Sequence, residues 1–337
     1  MKAAVFYGKH DIRLEDHPIA DPKPGEVQIR VKAAGVCGTD LHIYEGAQGA
    51  TECNPPVVLG HEFSGVIEKI GEGVTEVKVG DHVTVDPNIS CNGCHYCRKG
   101  KPHLCTHLAA TGVNYDGGFA EFCNVLERQV FVLPKELPFE IGALCEPVGC
   151  CLHGIDLANI QVGDVVMIIG GGPIGMIMMQ LAQIAGASKM IVVEPLEEKR
   201  ALAKKHGADL VIDPMHEDVK AVLEKNGIVD VAVVIECVGR KETMLNAIDY
   251  AGRGGKAVLF GLTPPDCVIP FMPFQAFQKE LTVVASFTNQ YSHGRAAELI
   301  SSGRLHLEDI ISDVFALDDI QKAFDLKVRK GKAIIKP

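Results

Sequence analysis

Alternating apolar and polar positions in "EVQIRVKAAGV" and "GVIEKI" read as strands with one face turned inward, and predict an antiparallel barrel for the first part of the chain. From residue 159 the pattern changes. The stretch "DVVMIIGGGPIGMIMMQLAQIAGASKMIVVEPLEEKRALAKKHGAD" reads as a strand over 164–169, a turn over 170–175 and an apolar helix to about Ala185. A strand over 190–193 follows, and then the acidic Glu194. The alternation goes on through "ADLVID", a helix over 217–225, "VDVAVVIECVG", a helix over 241–251, "GKAVLFGL" and "LTVVASF". These segments predict six parallel strands of a doubly wound sheet, an α/β fold.

Composition narrows the classes this pattern allows. A chain of 337 residues, 47% hydrophobic and with 35 glycines, predicts two packed, turn-rich domains. The longest apolar runs, such as "VVMIIG", are strand-sized and far short of the ~20 residues of a membrane helix, so no span is expected. A net charge of −10 without a long Lys/Arg block argues against nucleic acid and anionic membranes as partners. The opening "MKAAVFYGKHDIRLEDHP" is charged and lacks the apolar core of an export signal, which predicts a cytoplasmic protein.

Against that background, "CNGCHYCRKGKPHLC" concentrates Cys91, Cys94, Cys97 and Cys105 in one short loop. In a reducing compartment four thiols at such spacing read as ligands of one tetrahedral Zn²⁺, with Gly93 and Gly100 allowing the turns and Lys99 and Lys101 screening the thiolates. Iron–sulfur clusters also take four cysteines, but at other spacings. A site with four cysteine ligands has no open position, so its expected work is to fold the loop. His95 and His103 are surplus to that shell and are expected on the surface.

A second donor set is mixed. "AAGVCGTDLHIYEG" carries Cys37, Thr39, Asp40 and His42, and "VVLGHEFSGVIEKIGEGV" carries His61 and Glu62 in a segment punctuated by Gly60, Gly65, Gly71 and Gly73. The strand pattern puts Cys37 and the His61–Glu62 pair at neighbouring strand ends. Cysteine, histidine and carboxylate with a vacancy is the composition of a catalytic zinc. Glu146 in "LCEPVGCCLHG" is a candidate fourth ligand, whereas Cys145, Cys150 and Cys151 read as small buried residues.

The turn "GGGPIG", residues Gly170, Gly172, Pro173, Ile174 and Gly175, follows a strand and opens a helix. Gly170 makes the turn, Gly172 admits a pyrophosphate, and Gly175 lets helix and strand pack closely; the phosphates meet the helix N-terminus. Glu194, at the end of the next strand, accepts the adenosine ribose hydroxyls and so selects NAD. Lys199 and Arg200 lie close behind; Arg200 is kept among the candidate coenzyme contacts, although a solvated helix turn accounts for both cations.

Together these motifs resemble the zinc-dependent medium-chain dehydrogenase/reductase family over nearly the whole chain: "GHEFSGVIEKIGEGV" its zinc signature, "CNGCHYCRKGKPHLC" its structural zinc lobe, "GGGPIG" its cofactor loop. The resemblance implies a GroES-like catalytic domain over 1–148 and 289–337 with a zinc lobe at 88–107, and an inserted Rossmann domain over 149–288. It implies two zinc ions per chain and NAD. Cys37, His61 and Glu62 would bind the catalytic zinc, and Glu146 would reach it directly or through water, as in the polyol (sorbitol) branch. Thr39 would bond the substrate oxygen, and His42 would pass the proton on through the coenzyme ribose. The implied reaction interconverts a secondary alcohol and its ketone, in a tetramer or dimer. "CGTDLHIYEG" is close to threonine 3-dehydrogenases and "GALCEPVGCCLHG" to polyol dehydrogenases, while Thr288 and Asn289 stand where sorbitol enzymes would carry an Arg-Tyr-like pair. A neutral polyol or diol is the expected substrate. Threonine oxidation, a non-catalytic zinc- and NAD-binding protein, and a zinc-free reductase of the same fold are the alternatives; Cys37, His61 and Glu62 together argue against the last.

Overall fold

The computed structural model of the chain describes all residues except 48, 50 and 327–329. These form two compact units, Met1–Cys150 with Thr288–Pro337, and Cys151–Phe287.

The first unit is organised by strand Glu26–Gly35, most of whose residues are buried. One edge pairs antiparallel with Glu62–Ile70; the other takes Phe122–Leu126 beside its first half and Lys332–Lys336 beside its end. His82–Val85 and Val130–Val132 extend the sheet on one side and Ile311–Ala316 on the other, making seven strands. A three-stranded sheet of Asp11–Asp16, Lys2–Gly8 and Val57–Val58 shares its core, in which Ala3, Ile29, Leu59, Phe63 and Phe119 are fully enclosed. The antiparallel expectation needs one correction: Ile311–Ala316 runs parallel to Lys332–Lys336. The chain between them is long enough to return in the same direction, which alternation of apolar residues does not reveal.

The cysteine loop rises from a two-residue ladder, Asn88–Ile89 with Ala109–Ala110. It contains a helical turn, His95–Arg98, and a 3₁₀ turn, Pro102–Leu104. Between Cys91 and Cys105 only His103 and Cys105 are buried, so the lobe has no apolar core to hold it. The burial of His103 corrects the expectation that both loop histidines are exposed; the turn Pro102–Leu104 carries it inward beside Cys105, while His95 is exposed.

The second unit is a six-stranded parallel sheet. Its order is Leu210–Ile212, Lys189–Val193, Val165–Ile169, Val233–Glu236, Lys256–Leu259, Thr282–Ala285, that is 3-2-1-4-5-6 in chain order. Six parallel strands are those the sequence pattern predicts. The order reverses between the first and fourth strands, and sheets of this kind take their ligands outside the carboxyl ends of the strands at such a reversal. Helix Pro173–Ala185 buries every residue from Gly175 to Ala182, which explains its apolar composition on all sides. The predicted helices over 217–225 and 241–251 are observed as Val219–Lys225 and Lys241–Tyr250. Asp218 begins the first, its side chain accepting the Ala221 N–H at 2.9 Å as an N-cap. Helices Cys145–Ala158 and Pro273–Lys279 carry no clear amphipathic period and were not predicted. Among the described residues one helical stretch, Phe139–Ala158, is long and apolar enough to cross a membrane, and 83% of it is buried within the protein as a core helix is.

Candidate metal centres and coenzyme turn

Strand register assembles the first centre. Gly35 stands opposite Glu62, so the chain leaving one strand at Cys37 meets the chain entering the other at His61. Gly60 makes the entry: its φ is +94°, and a β-carbon there would lie 2.8 Å from the Phe119 ring. Donor atoms of Cys37, His61 and Glu62 all lie within 4.8 Å of one another, with His61 and Glu62 buried. Cys37 is the N-cap of helix Gly38–Tyr44, which places Thr39 and His42 three residues apart on one helical face, both half-buried.

Asp40, fully buried, locks this corner from within. One carboxylate oxygen accepts the Cys37 N–H at 2.8 Å, and the other faces His61 Nδ1 at 3.4 Å. Burial pulls the His61 imidazole down, but the negative groups of Asp40 and Cys37 outweigh it and hold its pKa well above the ordinary value. Electrostatics that favour positive charge at this point suit a divalent cation, and a carboxylate behind a ligating imidazole fixes the ring's orientation.

Lys332 is the residue beside this centre that sequence reasoning missed. Its ammonium, buried, lies 2.7 Å from each Glu62 oxygen, 270 residues away in sequence. Burial disfavours its charge, yet Glu62 and Cys37 keep its pKa raised. Glu62 therefore shares its carboxylate with a fixed cation. Glu146 lies outside the group of mutually close donor atoms; it is 8% exposed and accepts the Cys150 thiol at 3.2 Å. Burial pushes its pKa up to about 7, with His61 opposing and Glu62 adding to the rise. Cys145 and Cys151 are buried as expected, and Cys150 is half-buried. Asn289 is an internal residue, donating to Asp86 Oδ1 at 3.1 Å.

The second donor set is the lobe. Cys91, Cys94, Cys97 and Cys105 are thiols whose sulfurs lie within 4.8 Å of one another. Cys94 Sγ is 3.5 Å from Cys97 Sγ and 3.9 Å from Cys105 Sγ. Those distances bracket the ~3.8 Å edge of a tetrahedron with ~2.3 Å metal–sulfur bonds. Backbone N–H groups of Cys91, Cys94 and His107 donate to the sulfurs at 3.3 Å. The N–H groups of Cys97 and Thr106 take the Cys94 thiol down to about 5, as a metal-binding thiolate requires. Both donor sets have the chemistry of zinc sites, one closed and one with a further position open.

In the second unit Gly170, Gly172 and Gly175 of the turn differ in their surroundings. Gly170 turns at φ +100° and donates its N–H to Val193 O at 2.9 Å. A β-carbon at Gly175 would lie 1.8 Å from Gly170 O, so only glycine allows this helix so near its strand. Gly172, the N-cap of helix Pro173–Ala185, has nothing within 4 Å of where a β-carbon would stand, which leaves room for a phosphate at the helix N-terminus. Glu194 is 5% exposed; its oxygens accept the Gly171 N–H at 2.7 Å and the Leu196 N–H at 2.9 Å. The acid is thus set against the turn itself. Arg200 Nη1 donates to Glu194 O at 2.9 Å and pairs with Asp213 at 3.1 Å.

Comparison with known proteins agrees with both halves of this geometry. Residues 23–135 match the alcohol dehydrogenase GroES-like domain, and residues 173–302 match zinc-binding dehydrogenase. L-threonine 3-dehydrogenase of Pyrococcus furiosus is 36% identical over 98% of this chain and 95% of its own length. A probable D-xylulose reductase A of Aspergillus clavatus is 35% identical over 98% and 94%. A zinc-binding dehydrogenase of Sinorhizobium meliloti 1021, solved bound to NADP, superposes with a TM-score of 0.96 at 37% identity, over 100% of this chain and 99% of that one. Relatives of this extent leave no segment of the fold unaccounted for, and the chain belongs to the zinc-dependent medium-chain alcohol and polyol dehydrogenases, oxidoreductases that use zinc and NAD(P).

Proposed function

We propose that the chain interconverts a ketone and a secondary carbinol that has a second hydroxyl on the neighbouring carbon, with NAD preferred over NADP. The observation that carries the reading is the clustering of Cys37, His61 and Glu62 donor atoms within 4.8 Å, beside a helix that presents Thr39 and His42 on one face. Cys37 and His61, with Glu62 or Glu146 as the carboxylate donor, would hold a zinc whose Lewis acidity would loosen the carbinol proton, while the carbinol hydride goes to NAD⁺. The Thr39 hydroxyl takes that proton and His42 carries it toward solvent. Glu146, buried close to this centre, offers a carboxylate oxygen to accept from the neighbouring hydroxyl of a diol. In the second unit the Gly170–Gly175 turn receives the pyrophosphate, and Glu194 receives the ribose. A relative named for threonine and one named for xylulose both support a carbinol flanked by a heteroatom. Oxidation of threonine is the second reading, favoured by the threonine relative and by "CGTDLHIYEG".

The deciding experiment assays polyols, vicinal diols, threonine and simple primary and secondary alcohols with NAD⁺ and with NADP⁺, followed by NAD(P)H absorbance. Vicinal diols or polyols with NAD⁺ are expected to give the highest kcat/KM. Preference for primary alcohols, or no turnover of any carbinol, overturns the proposal, and preference for threonine moves the enzyme to the second reading.

The enzyme is further assigned to the cytoplasm as a homo-oligomer. Thiols clustered for a metal need a reducing compartment. Oligomerisation is supported by strand Thr282–Ala285, the edge of its sheet and largely exposed, and by Met272, Phe274 and Phe277 at 59%, 68% and 80% exposure. An open strand edge beside exposed aromatic rings suits a second copy of the same strand across a twofold axis.

A further inference from the structure

Glu194 ends the second strand of the coenzyme sheet, and Asp213 follows the third, Leu210–Ile212, whose Ile212 carbonyl accepts the Glu194 N–H at 3.0 Å. Arg200 lies between the two acids. Its Nη1 donates to the carbonyls of Glu194 at 2.9 Å and Pro195 at 2.5 Å and stands 3.1 Å from Asp213 Oδ2. Both side chains are largely enclosed, 18% and 14% exposed. The guanidinium is therefore folded back onto the loop that carries Glu194, and its charge is answered there.

Asp213 is itself held. Oδ1 accepts the Met215 N–H at 3.0 Å, Oδ2 meets His216 Nδ1 at 3.0 Å, and its own N–H donates to Glu217 Oε2 at 2.8 Å. The His216 hydrogen bond, the Met215 N–H and the Arg200 charge keep the carboxyl below the ordinary carboxylate range, so it is an anion at neutral pH.

A 2′-phosphate on the adenosine ribose requires a cation to offset its charge, and an arginine fork suits it best. Arg200 is the guanidinium beside the backbone of Glu194. While Asp213 holds it, an incoming phosphate meets Glu194 with a neutralised arginine behind it. We propose that Asp213 is a coenzyme-specificity residue: by pairing with Arg200 it withholds that cation from a 2′-phosphate and keeps the site selective for the unphosphorylated ribose. The inference rests on Glu194 as the acid at the ribose. Asp213 acts through Arg200 and is a positioning residue.

The test measures kcat/KM with NAD⁺ and NADP⁺ in wild type, Asp213→Asn, Arg200→Ala and the double variant. Asn keeps the size of the side chain and an acceptor for the Met215 N–H but removes the charge; Asp213→Ser is the second variant should Asn fold poorly. The ratio of kcat/KM for NADP⁺ to that for NAD⁺ is expected to rise about tenfold in Asp213→Asn, through KM, and the gain is expected to vanish in the double variant. A purely structural role would lower both coenzymes together and leave the ratio where it was. The proposal is overturned if the ratio stays within about twofold of wild type, or if the gain survives without Arg200. A wild type that prefers NADP⁺ overturns the NAD preference and with it the selectivity assigned to Asp213, whereas a wild type that prefers NAD⁺ with an unchanged ratio in Asp213→Asn overturns the role of Asp213 alone.

Discussion

At the scale of the residue, the chemistry of the first centre depends on side chains with little freedom. Thr39→Val removes the hydroxyl of the proposed relay while keeping its shape, and should cut kcat by roughly 10²-fold with zinc retained, the usual size of a lost acid–base step. His42→Ala should cost less, because water can replace the last step of the relay. An unchanged kcat for Thr39→Val in a chemistry-limited assay would remove the hydroxyl from the mechanism. Lys332 poses a different question, since burial gives its ammonium one anion close at hand, Glu62 at 2.7 Å. Lys332→Met should remove one member of this buried ion pair and destabilise the fold by about 3–5 kcal/mol. Urea unfolding of the holoenzyme measures this, and adding Glu62→Gln to the same chain should restore part of the loss. Equal midpoints for wild type and Lys332→Met would mean that the pair contributes nothing.

At the scale of the element, the two donor sets belong to parts of the chain with different needs. The lobe between Cys91 and Cys105 buries almost nothing, so a metal cross-link must supply what an apolar core does elsewhere. Cys97→Ser should lose one of two zinc ions and open the lobe to proteolysis. His61→Ala should lose the other and abolish turnover with the fold retained, because Glu62–Ile70 remains a core strand without it. Metal analysis that finds a single zinc in the wild type contradicts this division. Helix His293–Ser301 introduces a pH dependence of its own. Its first residue is fully buried against Phe131, with Nε2 3.3 Å from Thr84 Oγ1, and burial takes the His293 pKa down to about 4 from 6.5 while Asp86 opposes. Above pH 6.5 the ring is neutral in both folded and unfolded chains. As pH falls from 6.5 toward 4 the unfolded chain takes up a proton that the folded one refuses, and stability should drop by about 3 kcal/mol. In His293→Gln, unfolding measured at pH 7 and pH 5 should show a smaller difference than in wild type.

For the whole molecule, the proposed homo-oligomer is tested at the exposed edge of the coenzyme sheet. Val283→Pro places an imide where a paired edge strand needs an N–H, and Val283→Lys places a charge on an apolar seam. Light scattering on a size-exclusion column should find a dimer or tetramer for the wild type and a smaller species for both variants. A monomeric wild type would refute the homo-oligomer.

The period of the apolar residues is local, and so are a glycine turn and a run of cysteines. For that reason the six parallel strands, the turn over Gly170–Gly175 and the four-cysteine loop could be read from the chain alone. Cys37 and the His61–Glu62 pair could be brought together by strand reasoning because both lie at the ends of strands close in sequence. Tertiary structure decided the rest. The parallel run of Ile311–Ala316 beside Lys332–Lys336 depends on a chain return that no hydrophobic period encodes. Lys332 meets Glu62 across 270 residues, and Asp213 meets Arg200 only because adjacent strands of the sheet end side by side. A buried charge must find its partner in space, and distance along the chain carries no information about which partner that is. What the sequence by itself determined was therefore the kind of fold and the kinds of donor present; which charge answers which was left to packing.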